Sequence, residues 1–185
     1  MNDISRLNDV PRELESERLR FRMFRADDFA TYERWAQNIE IMRYLGGNTL
    51  ERNQAWRHMA YLLGQWELVG IGYYAVEDKQ TGVLVGRTGF TDSPGWPGFE
   101  LGWTIAPEYQ GRGYATEAAT RLMHLAFDEL RKPHVMSLIH PDNTPSRRVA
   151  EKLGETVEGE TSVLTMPVLV YGISAEKWRE GRVRN

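Results

Sequence analysis

The 185-residue chain contains no cysteine. That absence excludes disulfides, thiolate zinc sites and a cysteinyl acyl carrier, so any acyl transfer has to be direct or use another nucleophile. No apolar run approaches the roughly 18 residues that cross a bilayer, and Met1 to Glu15 is polar and mixed in charge, unlike a signal peptide. A cytoplasmic location without a membrane partner is expected. An excess of basic residues is also missing. With 26 acidic against 23 basic side chains the net charge is −3, which gives no long-range pull on a phosphate backbone, and no nucleic-acid partner is expected. His58, His124, His134 and His140 show no metal-like spacing, so no metal is expected.

Repeats, low-complexity tracts and Pro/Gly-rich linkers are absent as well. A chain of this length suits one core. We therefore expect a single domain over residues 15–178, with loose ends at 1–14 and 179–185.

What is present is clear periodicity. Leu19, Phe21 and Met23 alternate with arginines, as in a half-buried strand. Asp27 offers an N-cap for a helix carrying Phe29, Tyr32 and Ala36, and a second helix is expected from Thr49 to about Trp66 with Trp56, Met59, Leu63 and Trp66 toward a core. The runs Tyr73 to Glu77 and Val83 to Thr91 flank a turn at Asp78 to Gly82. With Phe99 to Ile105 they predict an antiparallel meander. A helix follows, with Ala115, Ala118, Ala119, Leu122, Ala126 and Leu130 inward, and then a strand from Val135 to His140, which together imply a parallel crossover. Thr144 as N-cap and Pro145 as first residue predict a short helix ending at Gly154, before a closing strand pair whose connection, around Thr161 to Pro167, is short. The fold class is thus single-domain α/β, with a mixed sheet flanked by helices.

Chemistry concentrates between Trp103 and Glu117, where a strand ends at Pro107 and glycines precede the long helix. At a helix N-terminus the first amides lack partners and the dipole is positive, so Gly111, Gly113 and Ala115 clear the backbone for a phosphate, and Arg112 adds charge. A loop that merely needs glycine for positive φ reads the same way. A dinucleotide fingerprint fails because Gly111-Arg-Gly-Tyr-Ala-Thr116 lacks its third small residue, and no Lys-Ser or Lys-Thr pair follows a glycine as a P-loop requires. The remaining pattern, Gln-x-x-Gly-x-Ala over Gln110 to Ala115, resembles the pyrophosphate-binding motif of the GNAT acetyltransferase superfamily.

The resemblance covers roughly Glu17 to Trp178 and is greatest to the branch that includes ribosomal-protein alanine and serine N-terminal acetyltransferases. Glu17-Arg-Leu-Arg-Phe-Arg22, Ile41-Met-Arg-Tyr-Leu45, Glu100-Leu-Gly-Trp103 and Asn143-Thr-Pro-Ser-Arg-Arg148 followed by Lys152-Leu-Gly154 match its landmarks in order. It implies a sheet splayed between the Phe99 and Val135 strands, with acetyl-coenzyme A in the gap. The pantetheine arm would pair with the backbone of Trp103, Thr104 and Ile105. The pyrophosphate would sit on Gln110, Gly111, Arg112, Gly113, Tyr114, Ala115 and Thr116, with Asn143 orienting the pantetheine amides.

Such a transferase would move acetyl to a primary amine, a protein N-terminus or a small molecule, acting as monomer or homodimer. Trp96 and Trp178 are either dimer contacts or cover for the core edge. An attacking amine must shed a proton, and Glu100, on the strand that lines the family's active site, is the candidate base; an outer-face charge or a salt bridge is its alternative. Ser146 is the candidate proton donor to the leaving thiolate, because Ala150 occupies the place of the tyrosine that many members use; a simple helix cap is its alternative. A bulge in the Phe99 strand is the family's source of an oxyanion N–H. Glu155 stands where an aromatic residue is usual, which weakens any transfer of acceptor specificity. The loop from Ser93 to Gly98 is placed beside the acceptor pocket. A silent acyl-coenzyme A-binding module would keep the phosphate loop, but the pair Glu100 and Ser146 favours an enzyme; a nucleotide-binding regulator ranks behind both.

Overall fold

The computed structural model describes residues 10–183. Its frame is an eight-stranded sheet in the order β1-β2-β3-β4-β5-β6-β8-β7. The strands are β1 (Leu14–Glu15), β2 (Leu19–Arg22), β3 (Tyr73–Asp78), β4 (Leu84–Thr91), β5 (Glu100–Ile105), β6 (His134–Ile139), β7 (Thr156–Val163) and β8 (Met166–Ser174). All neighbours are antiparallel except β5 and β6, which are parallel and register at one position, Glu100 opposite Met136. The mixed sheet with a parallel splayed centre is as expected from the sequence.

Helices cover both faces. On one lies α4 (Tyr114–His124), whose Ala118, Ala119 and Leu122 pack on Phe21, Val76, Phe90 and Leu101. On the other lie α1 (Phe29–Ala36), α2 (Ile39–Met42) and α3 (Arg52–Val69), which bury Tyr32, Trp35, Met59 and Leu62 against Ala75 and Leu84. Each fully buried large apolar side chain contributes about 1.5–3 kcal/mol, so helical period on one side and strand alternation on the other fix the layering. The remaining helices are α5 (Thr144–Lys152), whose Ala150 packs with Ile139 and Tyr171, and α6 (Ala175–Val183).

Several local details differ from the sequence expectation. Asp28, not Asp27, caps the first helical turn: its carboxylate accepts the Arg25 N–H at 2.7 Å and an ion pair from buried Arg22, which Glu77 also holds. The second helix starts at Arg52, and its buried stripe is Ala55, Met59, Leu62 and Trp66, whereas Trp56 is half exposed, edge-on to Phe29. A tryptophan at helical spacing therefore does not face the core here, because the stripe runs one residue earlier. The long helix widens into a π turn over Leu125–Glu129, closed by Leu130 N–H to Leu125 O at 2.9 Å. Asn143, not Thr144, caps α5, its Oδ1 accepting the Ser146 N–H at 3.3 Å. The expected edge at residue 15 falls inside the β1 ribbon, where Leu14 is buried, and α6 runs past Trp178 to Val183. Trp178 is itself buried, stacked on Phe127, and so covers the core edge.

Glu155 lies just before β7 and turns inward. It is 2% exposed, and one carboxyl oxygen is 3.0 Å from Ser137 Oγ while the other has no partner. The same Ser137 hydroxyl donates to Leu101 O at 3.0 Å. A hydroxyl has one proton, so a neutral Glu155 that donates to Ser137 satisfies the chain from β7 through β6 to β5. Burial first of all pushes the Glu155 carboxyl up from its ordinary 4.5 to about 8. Between those values the unfolded chain loses the proton and the folded one keeps it, so this stabilisation is full below pH 4.5 and is lost as pH rises to about 8. Glu155→Gln, which keeps a donor and cannot ionise, should match the parent at pH 4.5 and exceed it by about 1 kcal/mol or more at pH 8.5, roughly 2–4 °C in thermal melts. Equal differences at both pH values would refute a neutral Glu155.

Candidate active site

Where β5 and β6 part, a cleft of about 460 Å³ opens along the end of β5, the start of α4 and the start of α5. The chain turns at Gly111 and Gly113 with φ of 75° and 82°, the left-handed region where a side chain is strained. Both expectations for these glycines therefore hold, the conformational one and the clearance. A Cβ on Gly111 would meet nothing within 4 Å, and one on Gly113 only an Arg18 nitrogen at 3.4 Å, so the backbone here faces open space. The first α4 hydrogen bond is Glu117 N–H to Gly113 O at 3.0 Å, which leaves the amides before Glu117 at the positive end of the helix dipole. This is a cradle fit for a phosphate, and Lys152 and Arg43 stand on the same cleft.

The cradle is made of backbone, and its side chains serve other ends. Gln110 donates its N–H to Pro107 O and its side-chain amide to Ile105 O at 2.9 Å, which ties the loop to the strand, so the open amides begin at Gly111. The Arg112 guanidinium does not line the cleft. It folds back onto Glu108 O and the Tyr109 ring, so the charge expected from it at the cradle is not found there; the basic residues that line the cleft are Arg43 and Lys152. Tyr114 is buried with its hydroxyl on Asp78 and anchors α4 to β3. Ala115 and Thr116 line the cleft as expected, as do Trp103, Thr104 and Ile105.

A second, narrower compartment of about 80 Å³ lies behind the first and contains Glu100. Ser146, Asn143, Trp103, Thr104, Tyr44 and Leu45 line both, so they mark the junction. Strand alternation puts Glu100, Gly102 and Thr104 on one face of β5, together with Tyr73 of β3 and Arg87 of β4. Gly102 is required there, since a Cβ would collide with the Tyr73 hydroxyl. Glu100 is 8% exposed and accepts the Trp96 indole N–H at 2.7 Å, which brings the Ser93 to Gly98 loop to the site. Burial pushes its carboxyl up to about 7, against the pull of the Trp96 indole, the Leu138 amide and the Arg87 charge. It is thus neither an outer-face charge nor one half of a salt bridge.

The half-buried Ser146 presents its hydroxyl at the junction, while its backbone N–H is the group capped by Asn143. Asn143 accordingly has its side-chain oxygen committed to the helix. The expected bulge in the Phe99 strand is not found: β4 and β5 stay in unbroken register from Gly86 opposite Ile105 to Thr91 opposite Glu100, and the sheet's register shifts lie between Val76 and Glu77 and between Val157 and Gly159 instead. The sequence reading also missed Arg87, a cation inside a strand whose eight residues are all buried. The histidines are occupied locally, His58 with the Tyr32 hydroxyl at 2.8 Å and His134 with Glu158 at 2.9 Å. Among the described residues no helix is long and apolar enough to cross a membrane.

Comparison with known proteins agrees with this geometry. The N-acetyltransferase YnaD of Bacillus subtilis, itself uncharacterized, is 26% identical over 79% of this chain and 84% of its own. The crystal structure of an acetyltransferase from Agrobacterium tumefaciens matches with a TM-score of 0.80 at 30% identity, covering 91% of this chain and 98% of that one. The spermidine N-acetyltransferase of Vibrio cholerae, solved with CoA and spermine, shares the fold at a TM-score of 0.72 and 20% identity over 89% and 99% of the two chains. The model of the acetyltransferase (GNAT) domain matches residues 18–156, from β2 to the start of β7, and the chain belongs to that family of acetyltransferases.

Proposed function

We propose that the protein transfers an acetyl group from acetyl-coenzyme A directly to a primary amine, either a protein N-terminus or a small-molecule amine. The observation that carries this reading is the meeting of two compartments at Ser146, one floored by the open amides after Gln110 and the other by Glu100. The first has the length and dipole for a pyrophosphate and its pantetheine arm, and the V. cholerae neighbour was solved with CoA. Ile105 O is already bonded to Gln110, which leaves Trp103 and Thr104 as the backbone for the arm.

The chain has no cysteine to carry the acetyl group, so the amine attacks the thioester carbonyl itself. A carbon–nitrogen bond forms and the carbon–sulfur bond breaks. The amine proton passes to the Glu100 carboxylate, and Ser146 Oγ–H donates to the departing sulfur and recovers a proton from water. A carboxyl raised to about 7 suits this role, because it holds enough basicity to deprotonate an ammonium group and is ionised often enough near neutral pH.

Calorimetric titration with acetyl-coenzyme A, followed by thiol release across amines, tests the whole reading. Binding with amine-dependent release is expected; binding without release would favour a silent sensor. Gly113→Val should abolish binding, since valine rejects φ of 82° and fills the cradle, and retained affinity would overturn the cradle. Thiol release should climb with pH through about 7 as Glu100 ionises. Glu100→Gln should lower kcat/KM by about 10²-fold or more and remove that limb, leaving only the rise from the amine itself. An unaltered profile would assign the proton to a water chain. Ser146→Ala should lower kcat about tenfold with coenzyme affinity nearly intact; equal loss of binding would make Ser146 a purely structural residue.

A further inference from the structure

Among the described residues two guanidinium groups are buried, and they are treated differently. Arg22 is 5% exposed and fully paired, 2.7 Å from Asp28 and 2.6 Å from Glu77. Arg87 is 8% exposed, and among the described residues it makes no ion pair and no hydrogen bond. The Tyr73 ring lies 4.8 Å beneath it. A buried charge without a counter-ion costs several kcal/mol, a cost the fold avoids at Arg22.

The walls around Arg87 supply no anion other than Glu100. Tyr32 of α1 and His58 of α3 are bonded to each other, and burial, with the Arg87 charge adding to it, holds His58 neutral, down to about 4. Tyr73 of β3 keeps its proton through burial. Glu100 is within reach of the Arg87 field, but its carboxyl is bonded to Trp96 and rises to about 7 instead of falling as the acid of an ion pair would. None of the Arg87 nitrogens is among the enclosed atoms lacking partners, and Arg87 lines the compartment that holds Glu100. Its guanidinium therefore opens into the space where the acceptor is to sit.

We propose that Arg87 anchors a carboxylate carried by the acceptor, so that the acceptor is a small amine bearing a carboxylate, bound with that group on Arg87 and its amine toward Glu100. The proposal rests on the transferase reading and names its substrate class. A planar fork of donors is matched to a carboxylate, and supplying the missing counter-ion converts an unfavourable buried charge into a paired one. The compartment of about 80 Å³ takes a group of amino-acid size, not a long chain. A polyamine would bring further cations beside a buried cation that has no partner. The carboxylate comes either from a free amino acid or from an acidic first side chain of a peptide.

The test is thiol release by the full chain with saturating acetyl-coenzyme A. The acceptors are free amino acids, their carboxamides, spermidine, and peptides beginning with Asp or Glu against the same peptides beginning with Asn or Gln. A preference of at least tenfold in kcat/KM for free amino acids over their amides is expected. In Arg87→Met this ratio should fall toward one through KM, with coenzyme affinity retained in calorimetry, and Arg87→Lys should restore part of it. Preference for acidic over amide first residues, without activity on free amino acids, would keep the carboxylate anchor and assign it to a peptide. Amides or spermidine used as well as the acids would overturn the inference while the transferase stands. Release with no acceptor at all would overturn both. Should Arg87→Met fail to fold, the acid-to-amide ratio of the parent decides alone.

Discussion

The structure depends on the parting of β5 from β6. The two strands pair at Glu100 and Met136 and then diverge, so backbone groups that a continued ladder would satisfy must find other partners. Side chains provide them. Ser137 reaches across to Leu101 O, Gln110 returns to Ile105 O, and the Leu138 amide faces the Glu100 carboxyl. The cleft lies at the carboxyl end of β5, where the sheet changes from antiparallel to parallel and α4 carries the chain over, the place where open α/β sheets bind ligands.

The same fork explains why two carboxyl groups are raised. Glu100 and Glu155 sit on either side of Ser137, each raised first by desolvation, and the Glu100 charge adds to the difficulty of ionising Glu155. Their surroundings differ. Glu155 has one oxygen without a partner and lines neither compartment, so it remains a neutral strut between strands, whereas Glu100 has a donor from Trp96 and an opening into the inner compartment. On the proposed function, two acids of one type would serve structure and proton transfer separately, because only Glu100 opens into the compartment.

Much of this was legible in the sequence. The alternation of β2 to β5, the alanine-rich face of α4 and the glycines at its start are patterns that one strand or one helix carries by itself. Details that depend on two elements meeting were not legible. Asp28 replaces Asp27 as cap because Arg22 and Glu77 lie beneath it, and Arg112 leaves the cradle because Tyr109 offers a ring to stack on. Asn143 and Thr144 both have capping side chains, and only the path of the chain after β6 decides between them. Arg87 had a signal: a cation in the run Leu84 to Thr91, where every other residue is apolar, small or a threonine, is out of place in a buried strand. That anomaly marked a site, although the sequence did not say what would face it.

The two compartments are built from different materials, and this bears on what similarity can tell. The cradle is formed by backbone amides and needs specific residues only at Gly111 and Gly113, where φ is positive. A surface of that kind tolerates most substitutions, because they leave backbone geometry alone. The inner compartment is lined by side chains such as Tyr73, Arg87 and Glu100, the first two stacked on each other and the third held by the Trp96 indole. A single replacement there changes charge or shape in that compartment without disturbing the cradle. The family therefore predicts the fold far better than the acceptor, and the proposed acceptor is read from the one buried guanidinium that, among the described residues, has no ion pair.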